Sequence, residues 1–99
     1  MKRVTPKAKP IPRDYDIRFS KHAEMRSTGE RAIPLDMARD TIRTGRALAT
    51  EEIGRRCGDV FEFSKTHIIV EGRSRVSKRV VAVCEVLGNL CHVVTLFNE

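Results

Sequence analysis

Apolar side chains recur with the period of a helix between residues 19 and 45. Ser20 predicts the start of a first helix over residues 21–28, because its hydroxyl can accept a hydrogen bond from a free amide of the first turn. Gly29 can end that helix in a left-handed conformation. A second helix is predicted from Pro34 to Gly45, with its buried stripe formed by Leu35, Ala38 and Ile42.

From residue 46 onward the spacing changes to the period of two that is typical of strands. A first strand is predicted over residues 47–51, and clearer strands over residues 60–63 and 67–71 with a tight turn at residues 64–66 between them. Residues 54–59 predict a loop. The alternation in residues 14–19 predicts a short edge strand or an extended lead-in to the first helix.

The last two apolar strands flank Gly88 and Asn89, a two-residue loop that predicts a β-hairpin. The loop sets a register in which Glu85 faces His92 and Cys84 faces Val93. One face of this hairpin is then small and apolar, suited to the helices, and carries Val80, Ala82, Cys84, Val86, Cys91, Val93, Thr95 and Phe97. The other face is also largely apolar, which suggests a cleft wall, a partner-binding surface or a dimer interface.

Helices followed by strands predict an α+β fold, with two N-terminal helices packed on a four- or five-stranded antiparallel sheet. A chain of 99 residues allows one domain, expected over residues 14–99. Residues 1–13 hold three of the four prolines and five cations, and we expect them to form a disordered basic tail. The remaining residues hold 14 basic and 13 acidic side chains, so most of the net charge of +6 lies in that tail.

One basic cluster lies outside the tail. Arg73, Arg75, Lys78 and Arg79 fall within seven residues that contain no acid. Such a cluster can bind the phosphates of a nucleic acid, or it can be an ordinary solvated loop, and the sequence favours the two interpretations equally.

Hydropathy argues against a membrane or secreted protein, and cysteine spacing argues against a zinc site. No apolar run approaches 18 residues, and the N-terminus lacks the apolar segment of a signal peptide, so we expect a cytoplasmic protein without a membrane partner. The three cysteines form no CxxC pair, which argues against structural zinc, and we expect no metal or cofactor. Cys84 and Cys91 are expected to be small apolar core residues.

Three segments together resemble a known family: FSKHAEMR, then IPLDMARDTIRTG, then HVVTLF. They resemble a family of small bacterial and archaeal domains of unknown function, which is similar to the RelE and BrnT toxins, metal-independent ribonucleases. The resemblance covers residues 17–97. It implies a RelE-like fold, and the matching positions are Ser20, His22, Ala23, Arg26, Ile33, Gly45, Val94 and Thr95.

The resemblance implies a toxin-like, metal-independent ribonuclease of a toxin–antitoxin system, with RNA, free or on the ribosome, as substrate and an antitoxin protein as partner. RNA cleavage of this kind needs an acid and a base for the proton transfers and cations for the phosphate. The expected catalytic residues are His22, Arg26 and Thr95, with His92 as an alternative to Thr95. The expected nucleic-acid-binding residues are Arg73, Arg75, Lys78 and Arg79.

Two other functions remain open from the residues alone: a non-catalytic nucleic-acid-binding module, and a protein-interaction or homodimerisation module that uses the second apolar face. Structural explanations also exist for single residues. His22 could be a half-buried packing residue, Arg26 could pair with Glu30, and Glu85 with His92 could form a cross-strand pair. The sequence offers no partner for His67.

Overall fold

The computed structural model describes residues 4–6, 14–25, 33–55 and 57–98. The elements in chain order are β1 (Val4–Pro6), β2 (Asp16–Phe19), α1 (Lys21–Met25), α2 (Leu35–Thr44), β3 (Arg46–Ile53), β4 (Asp59–Glu71), β5 (Ser74–Leu87) and β6 (Leu90–Asn98). The expected disordered tail falls mostly on residues outside these ranges, except that Val4–Pro6 pair with β3.

The strands form one sheet in the order β1-β3-β4-β5-β6-β2. All pairs are antiparallel except β2 and β6, which run parallel from Asp16 opposite Leu90 to Phe19 opposite Val93. The prediction of two N-terminal helices on an antiparallel sheet of four or five strands is therefore wrong. Two strands precede the helices and the sheet is mixed, because β2 satisfies the backbone groups along the edge of β6, and alternation alone does not show the direction of pairing.

The helices follow the predicted pattern where they are described. Ser20 caps α1: its Oγ accepts from the Ala23 amide at 3.0 Å and donates to the Val94 carbonyl oxygen at 2.8 Å. Gly45 ends α2, as predicted, and Ala38 and Ile42 are buried. The predicted end of the first helix lies outside the described residues.

The β4–β5 hairpin differs from its prediction at two places. β4 runs without interruption through residues 64–66, where a turn was predicted, because β5 pairs with it along its whole length and β3 pairs with it as far as Ser64. The turn lies instead at Gly72–Arg73, where Gly72 has φ +61°, a conformation that glycine adopts without a Cβ penalty. Residues 74–79 consequently belong to a strand and not to a loop.

The β5–β6 hairpin keeps the predicted register from its loop as far as Cys84 opposite Val93. The register then shifts, so that Val83 faces Thr95. This β-bulge reverses the faces of the last part of β6. Thr95 and Phe97 consequently lie on the face away from the helices, and the prediction that they face the helices is wrong.

Both faces of the sheet carry buried side chains. Ala23 of α1, Ala38 and Ile42 of α2, and Phe63 of β4 pack together on the helix face. Cys84 and Cys91 are buried free thiols in this core, which confirms their predicted role. A smaller cluster on the opposite face, which we call the open face, consists of Val60, Val81 and Val83 with Phe97 packed against them. Within the described ranges neither helix is long and apolar enough to cross a membrane.

Candidate functional site

The outer part of the β4–β5 hairpin extends beyond its neighbours in the sheet. β3 pairs with β4 only as far as Ser64, and β6 pairs with β5 only as far as Val80, counted over the residues that the structure describes. Residues 66–79, which we call the arm, therefore continue as a two-stranded ribbon. At about 3.4 Å per residue, each strand of the arm is roughly 17 Å long.

The arm has two faces of different character. On the open face Thr66 lies opposite Arg79, and Val70 lies opposite Arg75. Ile68 and Val70 are 67% and 66% exposed, which is unusual for large apolar side chains in a strand. The helix face carries two further cross-strand pairs, His67 with Lys78 and Ile69 with Val76.

All four predicted nucleic-acid-binding residues lie on the arm. Arg73 is in the terminal turn, and Arg75 and Arg79 lie four residues apart on the open face, a separation of roughly 13 Å. The side chains of these three arginines are exposed, and that of Lys78, on the helix face, is half-buried. The Arg79 guanidinium donates a hydrogen bond to the Ser64 hydroxyl at 3.4 Å. With Glu71 as its single acid, the arm has a net charge of +3.

A polar cluster joins α2 to β4 where the arm begins. Lys65 Nζ donates to Asp40 Oδ2 at 2.7 Å and to Thr44 Oγ1 at 2.8 Å. The hydrogen bond from Lys65 lowers the pKa of the Asp40 carboxyl, outweighing a partial desolvation that acts in the opposite direction. We call Asp40, Thr41, Thr44, Lys65 and His67 the base cluster.

His67, for which the sequence offered no partner, belongs to this cluster. The Thr41 hydroxyl donates to the Met37 carbonyl oxygen at 2.8 Å and also lies 2.8 Å from His67 Nε2. Because the hydroxyl has one hydrogen, it must accept from His67, so Nε2 carries the proton and Nδ1 holds the lone pair of the neutral ring. Desolvation lowers the pKa of His67, and nearby Lys65 acts in the same direction, against the charge of Asp40.

The structure places the two described catalytic candidates on different elements, His22 on α1 and Thr95 on β6. His22 is exposed on α1, beside Ala23, which is buried in the helix-face core. Thr95 lies on the open face, so the sheet separates it from that core. Arg26 lies outside the described residues.

Glu85 and His92 face each other on the open face, which confirms their predicted pairing in the register. Glu85 is 9% exposed, and a Cβ at Gly54 would lie 2.8 Å from its carboxylate, so the loop between β3 and β4 covers it closely. His92 Nδ1 is buried and has no hydrogen-bond partner among the described residues. The pair is thus a part of the packed open face, far along β5 from the arm.

Sequence reasoning missed Asp40, Lys65 and His67. Lys65 and His67 are two residues apart in the chain, so they share a face of β4, but only the packing of α2 shows that this face meets Asp40 and Thr41. No three His, Cys, Asp or Glu side chains within the described ranges form a metal-binding group. Comparison of the chain with protein-family models, curated proteins and solved structures gives no match.

Proposed function

We propose that this protein binds nucleic acid and that the arm makes the contact. The observation that carries the proposal is a protruding two-stranded ribbon with three exposed arginines, Arg73, Arg75 and Arg79. Lys and Arg side chains supply most of the affinity for nucleic acid because they neutralise phosphates and release condensed counterions. A ribbon that stands away from the sheet can place such side chains against a backbone without a clash with the rest of the domain.

The burial of the arm supports a binding role over a purely structural one. An isolated two-stranded hairpin is marginally stable, because it orders many residues and buries little apolar surface. Here the arm leaves Ile68 and Val70 two-thirds exposed and adds nothing to either core cluster. A partner that covers the arm would offset the cost of ordering it.

The base cluster supports the same proposal, because it fixes the direction of the arm. Lys65 and His67, adjacent positions on one face of β4, each bind α2 through side-chain contacts of 2.7–2.8 Å. The last turns of α2 thus hold the arm at its start, so the arginines beyond it are presented from a fixed base.

The direct test is the binding of a fluorescently labelled nucleic acid, followed by anisotropy over a range of salt concentrations. We expect the affinity to fall steeply with salt, and Arg75→Gln to reduce the slope of log K against log salt by about 0.9, the contribution of one phosphate contact. Arg55→Gln is the matched control, since Arg55 is exposed in the loop at the opposite end of β4 and loses the same charge. Absence of salt-sensitive binding, or an equal effect of both variants, would reject the proposal.

As a second function we propose metal-independent RNA cleavage of the toxin-like kind, with His22 as the acid or base and RNA as the substrate. The supporting observation is the Ser20 hydroxyl, which caps α1 and bonds to Val94, so that α1 is fixed to β6 with His22 exposed on its surface. In the reaction a base removes the proton of the 2′-hydroxyl, the 2′-oxygen attacks phosphorus, and the departing 5′-oxygen takes a proton from an acid. A small acidic antitoxin is the partner that such an activity would require.

Cleavage is tested separately from binding. Labelled RNA is incubated with the full chain in excess chelator, with and without ribosomes, beside His22→Ala and the neighbouring exposed-residue control Lys21→Ala. Products that end in a 2′,3′-cyclic phosphate, lost in His22→Ala and kept in Lys21→Ala, are expected. Cleavage unaffected by His22→Ala, or no cleavage in either condition, would reject this second function and leave the binding proposal standing.

A further inference from the structure

Resting on the proposed nucleic-acid binding, we infer that the arm takes duplex DNA and enters its major groove. The first reason is shape. The major groove of B-form DNA is about 12 Å wide and admits a two-stranded β-ribbon. Among the described residues the arm is such a ribbon, because β3 begins opposite Ser64 and the last described residue of β6, Asn98, lies opposite Val80. No other described strand pairs with either edge of the arm.

The same shape argues against double-stranded RNA. The major groove of an A-form helix is too deep and narrow for side chains to read, and its wide minor groove is shallow. A two-stranded ribbon roughly 17 Å long is too wide for the narrow major groove of A-form RNA. The minor groove of A-form RNA is too shallow to take the length of the ribbon. Duplex DNA therefore fits the arm better than duplex RNA does.

The composition of the arm argues against single strands. Proteins that bind single-stranded nucleic acid stack its bases on aromatic side chains. Residues 66–79 contain no Phe, Tyr or Trp. The aromatic residues of the chain lie elsewhere: Tyr15, Phe61 and Phe63 are buried in the helix-face core, Phe19 packs against that core, and Phe97 packs on the open face.

The side chains that the arm does carry suit a groove of paired bases. Arg73 and Arg75 lie at or near the tip, where they would reach deepest, and arginine binds the O6 and N7 acceptors of guanine in a bidentate manner. Ile68 and Val70, exposed on the same face as Arg75, can contact the methyl groups of thymine. Arg79, roughly 13 Å from Arg75 and next to the body of the domain, is placed for the phosphates at the rim of the groove.

The test compares four labelled probes of one sequence at one salt concentration: double-stranded DNA, double-stranded RNA, single-stranded DNA and single-stranded RNA. Anisotropy with the full chain is expected to show duplex DNA bound about tenfold or more tightly than each of the others. A duplex with 7-deazaguanine in place of guanine, and one with uracil in place of thymine, remove major-groove N7 atoms and methyl groups without a change of charge. Each is expected to weaken binding several-fold.

Two variants localise the effect. Arg75→Gln is expected to lower affinity for the unmodified duplex and to remove the difference between guanine and 7-deazaguanine probes, and Ile68→Ser is expected to remove the difference between thymine and uracil probes. Arg55→Gln should leave both differences intact. Circular dichroism confirms that each variant is folded.

The outcomes separate this inference from the function on which it rests. No binding to any of the four probes would reject the proposed function and the inference together. Binding to either RNA, or to single-stranded DNA, as tight as binding to duplex DNA would overturn the inference and leave nucleic-acid binding in place. Tight binding to duplex DNA with no response to the base modifications would also overturn it, because contact would then be with phosphates alone.

Discussion

The inner and outer parts of the β4–β5 hairpin make the same backbone pairing and have opposite surroundings. In the inner part, Phe63 is fully buried on the helix face, and Val81 is almost fully buried on the open face. In the arm, Ile68 and Val70 are two-thirds exposed, and arginines take the positions opposite and beside them. The two parts of this hairpin therefore differ in what surrounds them. The inner part contributes to both core clusters, and the outer part carries exposed arginines and exposed apolar side chains.

The boundary between the two parts is polar. Beyond Phe63, the next side chains on the helix face of β4 are Lys65 and His67, and both are bound by α2. On β4, hydrogen bonds to α2 replace apolar packing at this position, while Val80 of β5, opposite Lys65, is still buried in the core. This arrangement lets the arm begin at a rigid point without extending the core.

The largest effect on stability is expected from Phe63→Ala. Phe63 is fully buried, so its truncation should lower the free energy of unfolding by about 3–5 kcal/mol. The matched change in the arm, Ile68→Ala, should alter it by less than about 0.5 kcal/mol. Urea denaturation followed by circular dichroism measures both. Equal losses in the two variants would mean that the arm is part of the folded core.

Two glycines, Gly45 at the end of α2 and Gly72 at the tip of the arm, provide a second contrast in stability. A Cβ at Gly45 would lie 2.3 Å from the Thr41 carbonyl oxygen and 2.5 Å from that of Ser64, so Gly45→Ala should cost about 1–3 kcal/mol. At the tip of the arm Gly72 has positive φ but open space around it. Gly72→Asn should therefore cost no more than about 0.5 kcal/mol, because asparagine tolerates that conformation. Thermal unfolding of the two variants tests this order, and a costlier change at Gly72 would contradict it.

The smallest expected effect is the pH dependence of stability that comes from His67 in the base cluster. Desolvation lowers the pKa of His67, so the unfolded chain binds a proton at a pH where the folded protein still holds the ring neutral. Stability should therefore decrease as the pH falls below about 6.5, the ordinary value for histidine, until the folded pKa has been passed. Urea midpoints measured from pH 7.5 down to pH 5 show the decrease. In His67→Gln, the loss of stability that comes from protonation of His67 should vanish. A pH profile of stability that is the same as in the unchanged protein would contradict the lowered pKa of His67.

Local signals predicted the elements that depend on local geometry. The apolar stripe and Gly45 predicted α2, the Ser20 hydroxyl predicted the cap of α1, and the Gly88–Asn89 loop predicted the register from Glu85 opposite His92 to Cys84 opposite Val93. Each of these signals acts within a few residues, so no knowledge of the rest of the fold was required.

Features that depend on distant segments were missed. Ser64 and Thr66 predicted a turn, but pairing with β5 keeps β4 extended through them. Nothing in the run of residues 93–95 indicates a bulge, so Thr95 was assigned to the wrong face. The parallel pairing of β2 with β6, and the contact of His67 with Thr41, join residues far apart in the chain and leave no local trace.

The sequence predicts the basic residues of the arm but not its structure as a two-stranded ribbon. The sequence from Arg73 to Arg79 predicts a basic cluster, but a run of charges gives no sign that two strands continue beyond the sheet. The sequence predicts an ordinary strand around Ile68 and Val70, with no sign that both side chains are exposed, since an apolar residue in a strand is normally covered. Within the described residues, the arm becomes visible from the strand pairing, in which β3 begins opposite Ser64 and Asn98 of β6 lies opposite Val80.

The decisive measurement is the salt dependence of nucleic-acid binding by the double variant Arg73→Gln/Arg75→Gln, made beside its free energy of unfolding. We expect the slope of log K against log salt for duplex DNA to fall by up to about 1.8, while the free energy of unfolding changes by less than about 0.5 kcal/mol. An unchanged slope would show that the arm does not bind nucleic acid, and a large loss of stability would show that the arm is needed for the fold.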